Sequence, residues 1–124
     1  IGTAIPTSGS SYLMKGRDIR SGTPKEITLK EEHTAEALKP VLTQIMAAIK
    51  DALENTPPEL SADLVDMGLT MTGGGSLLRN IDKRFSKETG LPVNIAEDPL
   101  SSVAIGTGKA LENQEIFSTV LSEY

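Results

Sequence analysis

The sequence predicts an α/β fold, and three observations carry that prediction. Apolar residues recur at intervals of three and four across residues 31–55, the spacing of one helix face. Two short β-prone runs, residues 69–72 and 92–96, flank a helix-period run at 76–89. Strands joined by a helix of that length imply a parallel pair with a right-handed crossover. Ahead of them, short β-prone runs separated by Gly and Pro between Ile1 and Leu29 read as a small meander of two or three strands.

In chain order, residues 1–5 are β-prone and are followed by the turn Pro6-Thr7-Ser8-Gly9-Ser10. Residues 12–19 and 26–29 form the next two runs, with Ser21-Gly22-Thr23-Pro24 between them. The chain opens on Ile1-Gly2-Thr3 without an initiator Met, like the end of a strand with nothing before it, which suggests a piece of a longer protein. Leu38, Val41, Leu42, Ile45, Ile49, Ala52 and Leu53 make the apolar face of the long helix. Pro40 cannot donate to the carbonyl four residues back, so it should kink this helix or open its longer second part, leaving 31–39 as a separate turn or two. Pro57-Pro58 ends the helix, and Pro58 can open a short one that stops near Gly68.

After the first β-prone run of the α/β unit, Leu77, Leu78, Ile81 and Phe85 set the helix period, and Gly90 is a natural left-handed stop. Asp98-Pro99 should open the last helix, with Asp as N-cap and Pro at N1. That helix reaches about Asn113, and residues 116–121 form a further turn.

Composition narrows the function classes. A chain of 124 residues is one compact domain or part of a larger one. Aromatic residues make up 3% and Trp is absent, so the core must be aliphatic. A net charge of -5 argues against a general nucleic-acid binder, which needs a surplus of Lys and Arg on one face. Without cysteine there is neither a disulfide nor a thiolate metal site. No apolar run approaches the roughly 18 to 20 residues that span a bilayer, and a signal-peptide layout is missing from the first residues. The plain reading is an acidic cytosolic protein.

The run Thr72-Gly73-Gly74-Gly75-Ser76 is the one feature with chemistry in it. A strand that passes through three glycines into a helix places bare N–H groups at a positive helix N-terminus, where a ligand can approach closely. It is neither a Walker A loop nor GxGxxG. Pattern alone leaves two readings open, a tight turn that binds nothing and a ligand loop. Gly106 and Gly108 lie inside the last helix, at about 1 kcal/mol each against Ala; close packing is the favoured offset, ahead of ligand contact. Asp63, Asp66, Glu97 and Asp98 read as solvated caps, not as an acid–base pair, and His33 as an exposed helix-start residue. Lys15, Arg17, Arg20 and Lys25 mark a solvated hairpin edge or a contact with an acidic subunit. Met14, Met46, Met67 and Met71 read as core filler.

Several ordered segments resemble the MreB family, the bacterial actin homologues. They are Lys15-Gly16-Arg17-Asp18, Gly22-Thr23-Pro24-Lys25, Thr56-Pro57-Pro58-Glu59-Leu60-Ser61-Ala62-Asp63 and Leu69-Thr70-Met71-Thr72-Gly73-Gly74-Gly75-Ser76-Leu77-Leu78-Arg79. The resemblance continues through Glu88-Thr89-Gly90-Leu91-Pro92-Val93 and Ala96-Glu97-Asp98-Pro99-Leu100 to Val103-Ala104-Ile105-Gly106-Thr107-Gly108-Lys109-Ala110-Leu111-Glu112. Asn80 and Asp82 depart from it, and the tail after Asn113 has no recognisable counterpart.

The resemblance implies the actin, Hsp70 and hexokinase fold, which is ribonuclease H-like, with this chain as part of the second lobe. Residues 1–54 would be that lobe's small subdomain with its connecting helix, and 55–124 the C-terminal part of its large subdomain. Gly73, Gly74, Gly75 and Ser76 then resemble the adenosine motif that lies against a bound ATP. The phosphate loops, the Mg2+ ligands and the residue that positions water are expected upstream, so this stretch alone is not an enzyme, although the intact protein is expected to be a filament-coupled ATPase. The implied role is a filament-forming cytoskeletal protein at the inner face of the cytoplasmic membrane, which organises cell-wall synthesis and maintains rod shape. Its implied partners are copies of itself and membrane proteins of cell elongation, with no nucleic acid. The alternative is the nucleotide-binding lobe of another ATPase or kinase of the same superfamily.

Overall fold

The computed structural model describes residues 1–121. Its elements are β1 (Ser11–Arg17), β2 (Pro24–Lys30), α1 (Glu31–Glu54), α2 (Pro58–Met67), β3 (Leu69–Met71), a 3-10 turn (Gly74–Leu77), α3 (Ile81–Thr89), β4 (Val93–Ile95), α4 (Ser102–Glu112) and α5 (Gln114–Leu121). β1 and β2 form an antiparallel hairpin whose register runs from Ser11 opposite Lys30 to Arg17 opposite Pro24. β3 and β4 form the parallel pair that the strand–helix–strand spacing predicts, with Leu69 opposite Val93. Residues 1–5 contribute only one bridge, Thr3 to Arg79, instead of a strand.

The hairpin turn is built on Asp18. Its Oδ1 accepts the N–H groups of Arg20 at 2.8 Å and Ser21 at 3.2 Å, and its Oδ2 lies 3.2 Å from Lys25 Nζ. These donors, the Arg20 N–H foremost, hold the Asp18 carboxyl below its ordinary range. Lys15 pairs with its cross-strand neighbour Glu26 at 3.0 Å. Two of the four basic residues therefore have acidic partners within the hairpin itself.

α1 continues without a break through Pro40. Pro40 is exposed, so the missing bond lies where water can replace it, and no separate first segment forms. Leu42 and Met46 are buried, with Leu38 and Ile49 partly so, while Val41 and Ile45 on the flank of the same stripe remain 53% and 41% exposed. The buried side of α1 meets Ile81 and Phe85, one turn apart on α3, and Ala4 completes the core. Met71 and Val93 bring the parallel strands against it. Of the four methionines only Met46 and Met71 fill the core; Met14 and Met67 are exposed, Met67 because α2 buries none of its residues. Between α2, the end of α1 and β3 lies an open apolar cavity of about 600 Å³, lined by Ile49, Leu53, Leu60, Leu64 and Phe85 among others.

Three local expectations need correction. The helix expected from Ser76 begins only at Ile81, because Leu78 is extended and Asn80 is left-handed (φ 61°). The last helix begins at Ser102, not at Pro99. The Pro99 carbonyl, which would have accepted the first helical bonds, instead accepts the N–H of Gly73 at 2.7 Å and the hydroxyl of Thr72 at 3.1 Å. Asp98 accepts the Ser101 N–H at 3.3 Å within the resulting turn. Finally, apart from its chain neighbours and the backbone of α4 itself, a Cβ built at Gly106 or Gly108 would meet no described atom within 4 Å. The close packing expected to offset these glycines is not found among the described residues, and α4 buries none of its side chains.

Candidate functional site

The glycine run leaves the C-terminal end of β3 and turns at once into the 3-10 segment. Gly73 has φ 79° and ψ 167°, a region open in practice only to glycine. Its N–H is tied to Pro99, and its carbonyl accepts both the N–H of Ser76 at 3.1 Å and the Ser76 hydroxyl at 2.7 Å. Ser76 is 1% exposed, so its side chain closes the turn from inside. The Met71 carbonyl accepts the N–H of Ala96 at 2.9 Å, fixing the loop after β4 alongside. Just before β3, Gly68 (φ 72°) is required for a second reason: a Cβ there would come within 2.2 Å of the Pro92 carbonyl oxygen.

Gly74 and Gly75 differ from Gly73. Neither has positive φ. A Cβ at Gly75 would meet nothing within 4 Å, and one at Gly74 would make ordinary contact with Leu100 at 3.5 Å. The turn needs glycine at position 73 and has no conformational or packing need for it at 74 and 75. Both residues are exposed, and their N–H groups have no acceptor among the described residues, as befits the first donors of a helical turn. The arrangement offers bare backbone and two free donors to the polar edge of a ligand.

Beyond the turn lies a network that the sequence reading missed. Glu31, the first residue of α1, is 1% exposed. Its Oε1 accepts the N–H groups of Ser8 and Gly9, both at 2.6 Å. Its Oε2 accepts the hydroxyls of Ser8 at 2.8 Å and Ser10 at 3.3 Å, and Arg79 Nη2 at 3.1 Å. Burial pushes this carboxyl up, yet the hydrogen bonds from Ser8, Gly9 and Ser10 outweigh it and hold it down at about 2. Asn80 keeps its left-handed backbone while its Nδ2 donates to Thr3 Oγ1, the Ile5 carbonyl and Thr7 Oγ1 at 2.9 to 3.2 Å. No local pattern announces this network, because its members stand 21 to 77 positions apart.

The remaining candidates stay separate. Asp63, Asp66, Glu97 and Asp98 are exposed, and no group of three or more His, Asp or Glu among the described residues is placed to hold a metal ion. His33 is exposed at the start of α1, where its Nδ1 accepts the Lys30 N–H at 3.2 Å, the reciprocal half of a capping box. No helix among the described residues is long and apolar enough to cross a membrane.

Comparison with known proteins agrees with this architecture. The family model described as MreB/Mbl protein matches residues 1–119, a span that passes Asn113 and gives most of the tail the counterpart it was expected to lack. The chain is 48% identical over 114 residues to the cell shape-determining protein Mbl of Bacillus cereus, covering 91% of this chain and 34% of that protein. It is 47% identical over 113 residues to the cell shape-determining protein MreB of Escherichia coli K12, covering 90% and 33%. The crystal structure of MreB5 of Spiroplasma citri bound to ADP superposes with a TM-score of 0.84 at 38% identity, over 97% of this chain and 36% of that one. The same protein bound to AMPPNP gives 0.82 at 37% identity, over 100% and 37%. The chain thus spans about a third of the length of these relatives. Its α/β architecture is part of the actin-like fold of those structures, and the chain belongs to the MreB/Mbl family.

Proposed function

We propose that this chain supplies the adenosine side of an ATP site in a filament-forming bacterial actin homologue, which organises cell-wall synthesis and maintains rod shape. The observation that carries the reading is the pair Gly74 and Gly75: exposed glycines that the turn does not need, with N–H groups that have no acceptor among the described residues. Glycine is called for there if the ribose, adenine or nearest phosphate comes closer than a side chain allows. Gly73 shapes the turn, Ser76 closes it from behind, and Thr72 ties it to the Pro99 loop. That MreB5 of Spiroplasma citri was crystallised with ADP and with AMPPNP supports an adenine nucleotide as the ligand.

Bound ATP would supply the phosphoryl group whose loss is coupled to filament turnover. The metal ligands and phosphate loops are assigned to the rest of the protein, because phosphoryl transfer needs charge neutralisation that one adenosine-side loop does not give. In this reading residues 1–54 form the small subdomain and residues from 55 onward the returning half of the large subdomain, in a protein working at the inner face of the cytoplasmic membrane with copies of itself and membrane proteins of cell elongation.

Titrating the full-length protein with a fluorescent ADP analogue tests the reading. Gly75→Arg should weaken binding by more than about tenfold, or 1.4 kcal/mol, with the thermal midpoint unchanged. Full affinity in Gly75→Arg would rule the turn out as the contact.

A further inference from the structure

The glycine turn leads into a segment whose backbone is unusual and heavily tied. Leu78 is extended, Arg79 bridges to Thr3, and Asn80 sits at φ 61° before α3 begins. A non-glycine residue held there costs energy and persists only when its surroundings over-determine it. Those surroundings are residues 2–7. The Ala4 N–H donates to the Arg79 carbonyl at 2.8 Å, Asn80 Nδ2 donates to Thr3 Oγ1 at 3.1 Å, and Arg79 Nε reaches the Gly2 carbonyl at 3.4 Å. The N-terminal strap is therefore what sets the direction of the chain as it leaves the turn.

The strap is in turn held by Glu31. Its carboxylate gathers the turn at residues 8–10 through four hydrogen bonds and receives Arg79 Nη2 as a fifth donor. The Glu31 N–H donates to the Ser10 carbonyl at 3.1 Å, and Thr34 on the next turn of α1 donates to the Ile1 carbonyl at 3.0 Å. One buried anion thus meets the strap, the start of α1 and the exit of the glycine turn. Arg79 is the one member of this junction that belongs to the turn's own segment, and its side chain is 47% exposed against 1% for Glu31.

From this geometry we infer that Glu31 is a positioning residue for the glycine turn, acting through Arg79. It does not touch the ligand. It fixes residues 78–80, and with them the aim of the Gly74 and Gly75 N–H groups. The role rests on the adenine-nucleotide reading of that turn.

The test is a double-mutant cycle in the full-length protein, read as affinity for a fluorescent ADP analogue, with a thermal midpoint for every variant. Glu31→Gln and Arg79→Met should each weaken ADP by about tenfold. The double variant should lose no more than either single, because two residues that act as a unit are not additive. Arg79→Lys, which retains the charge, should recover most of the loss, whereas a purely structural fault would make the loss of affinity track the fall in midpoint from variant to variant and would not be rescued by the retained charge. If Glu31→Gln does not fold, Glu31→Asp replaces it in the cycle with the same expected result, since it keeps the charge and shortens the reach to Arg79. Losses that multiply to about a hundredfold in the double variant, or ADP affinity unchanged in the singles, overturn the role alone. A wild-type protein that binds no ADP overturns the nucleotide reading, and the role with it.

Discussion

Arg79 Nη2 lies 3.1 Å from Oε2 of the buried Glu31, joining the exit of the glycine turn to the first residue of α1 across 48 positions of sequence. The partners are unequal: the carboxylate is enclosed and met by five donors, while the guanidinium is half in solvent. Removing the arginine leaves an anion with four donors. Removing the carboxylate leaves four donors without their acceptor and the guanidinium without its counter-charge, which is the costlier loss.

Acid stability should register that carboxylate. Its folded value of about 2 lies below the ordinary 4.5, so its contribution is complete above pH 4.5 and disappears as the pH falls through about 2. Thermal midpoints of the full-length protein measured between these limits should fall with pH, and Glu31→Gln should start lower and lose that part of the slope. An identical slope in the variant would show that Glu31 is not clamped as described.

The three glycines of the turn should separate by substitution. Gly73→Ala places a side chain in a backbone region that only glycine occupies and should cost about 1 to 3 kcal/mol of stability. Gly75→Ala meets nothing and should leave stability within about 0.5 kcal/mol. Denaturant titration of the two variants checks the contrast, and equal losses would contradict the assignment of the turn's strain to Gly73.

Asn80 combines a left-handed backbone with three hydrogen bonds to the N-terminal strap. Asn80→Ala should cost about 1 to 3 kcal/mol. Asn80→Gly relieves the backbone but still loses the bonds, so its midpoint should fall between those of wild type and Asn80→Ala. A midpoint for Asn80→Gly at or below that of Asn80→Ala would mean that the left-handed backbone carries no strain at this position.

Phe85 is fully buried in a core that has few large side chains. Phe85→Ala should cost about 3 to 5 kcal/mol, read as a shift of the denaturant midpoint with the slope unchanged.

Periodicity made the main elements legible. The spacing of Leu38, Leu42 and Ile49 announced α1, and the runs around Met71 and Val93 announced the parallel pair. Helix starts were less legible, because distant groups decide them. Asp98-Pro99 has the right local chemistry for a helix opening, yet the Pro99 carbonyl is claimed by Thr72 and Gly73. Likewise the periodic run after the glycines is interrupted at residues 78–80 by the strap. The glycine run stood out in the sequence, but the division of labour between Gly73 and its two neighbours is a matter of backbone angle and free space, which spelling does not carry. Nothing in the local sequence marks Glu31, because its donors come from segments that the fold brings together.

Pro40 does not divide α1, and this gives the Glu31 junction mechanical reach. At about 1.5 Å per residue, 24 continuous residues make a lever about 36 Å long. Its clamped end is Glu31, and its far end lines the apolar cavity through Ile49, Ala52 and Leu53. A tilt of about 5° at the clamp displaces the far end by about 3 Å, roughly the width of a methyl group. One unbroken helix therefore carries the Glu31 junction at its start and a wall of the apolar cavity at its end.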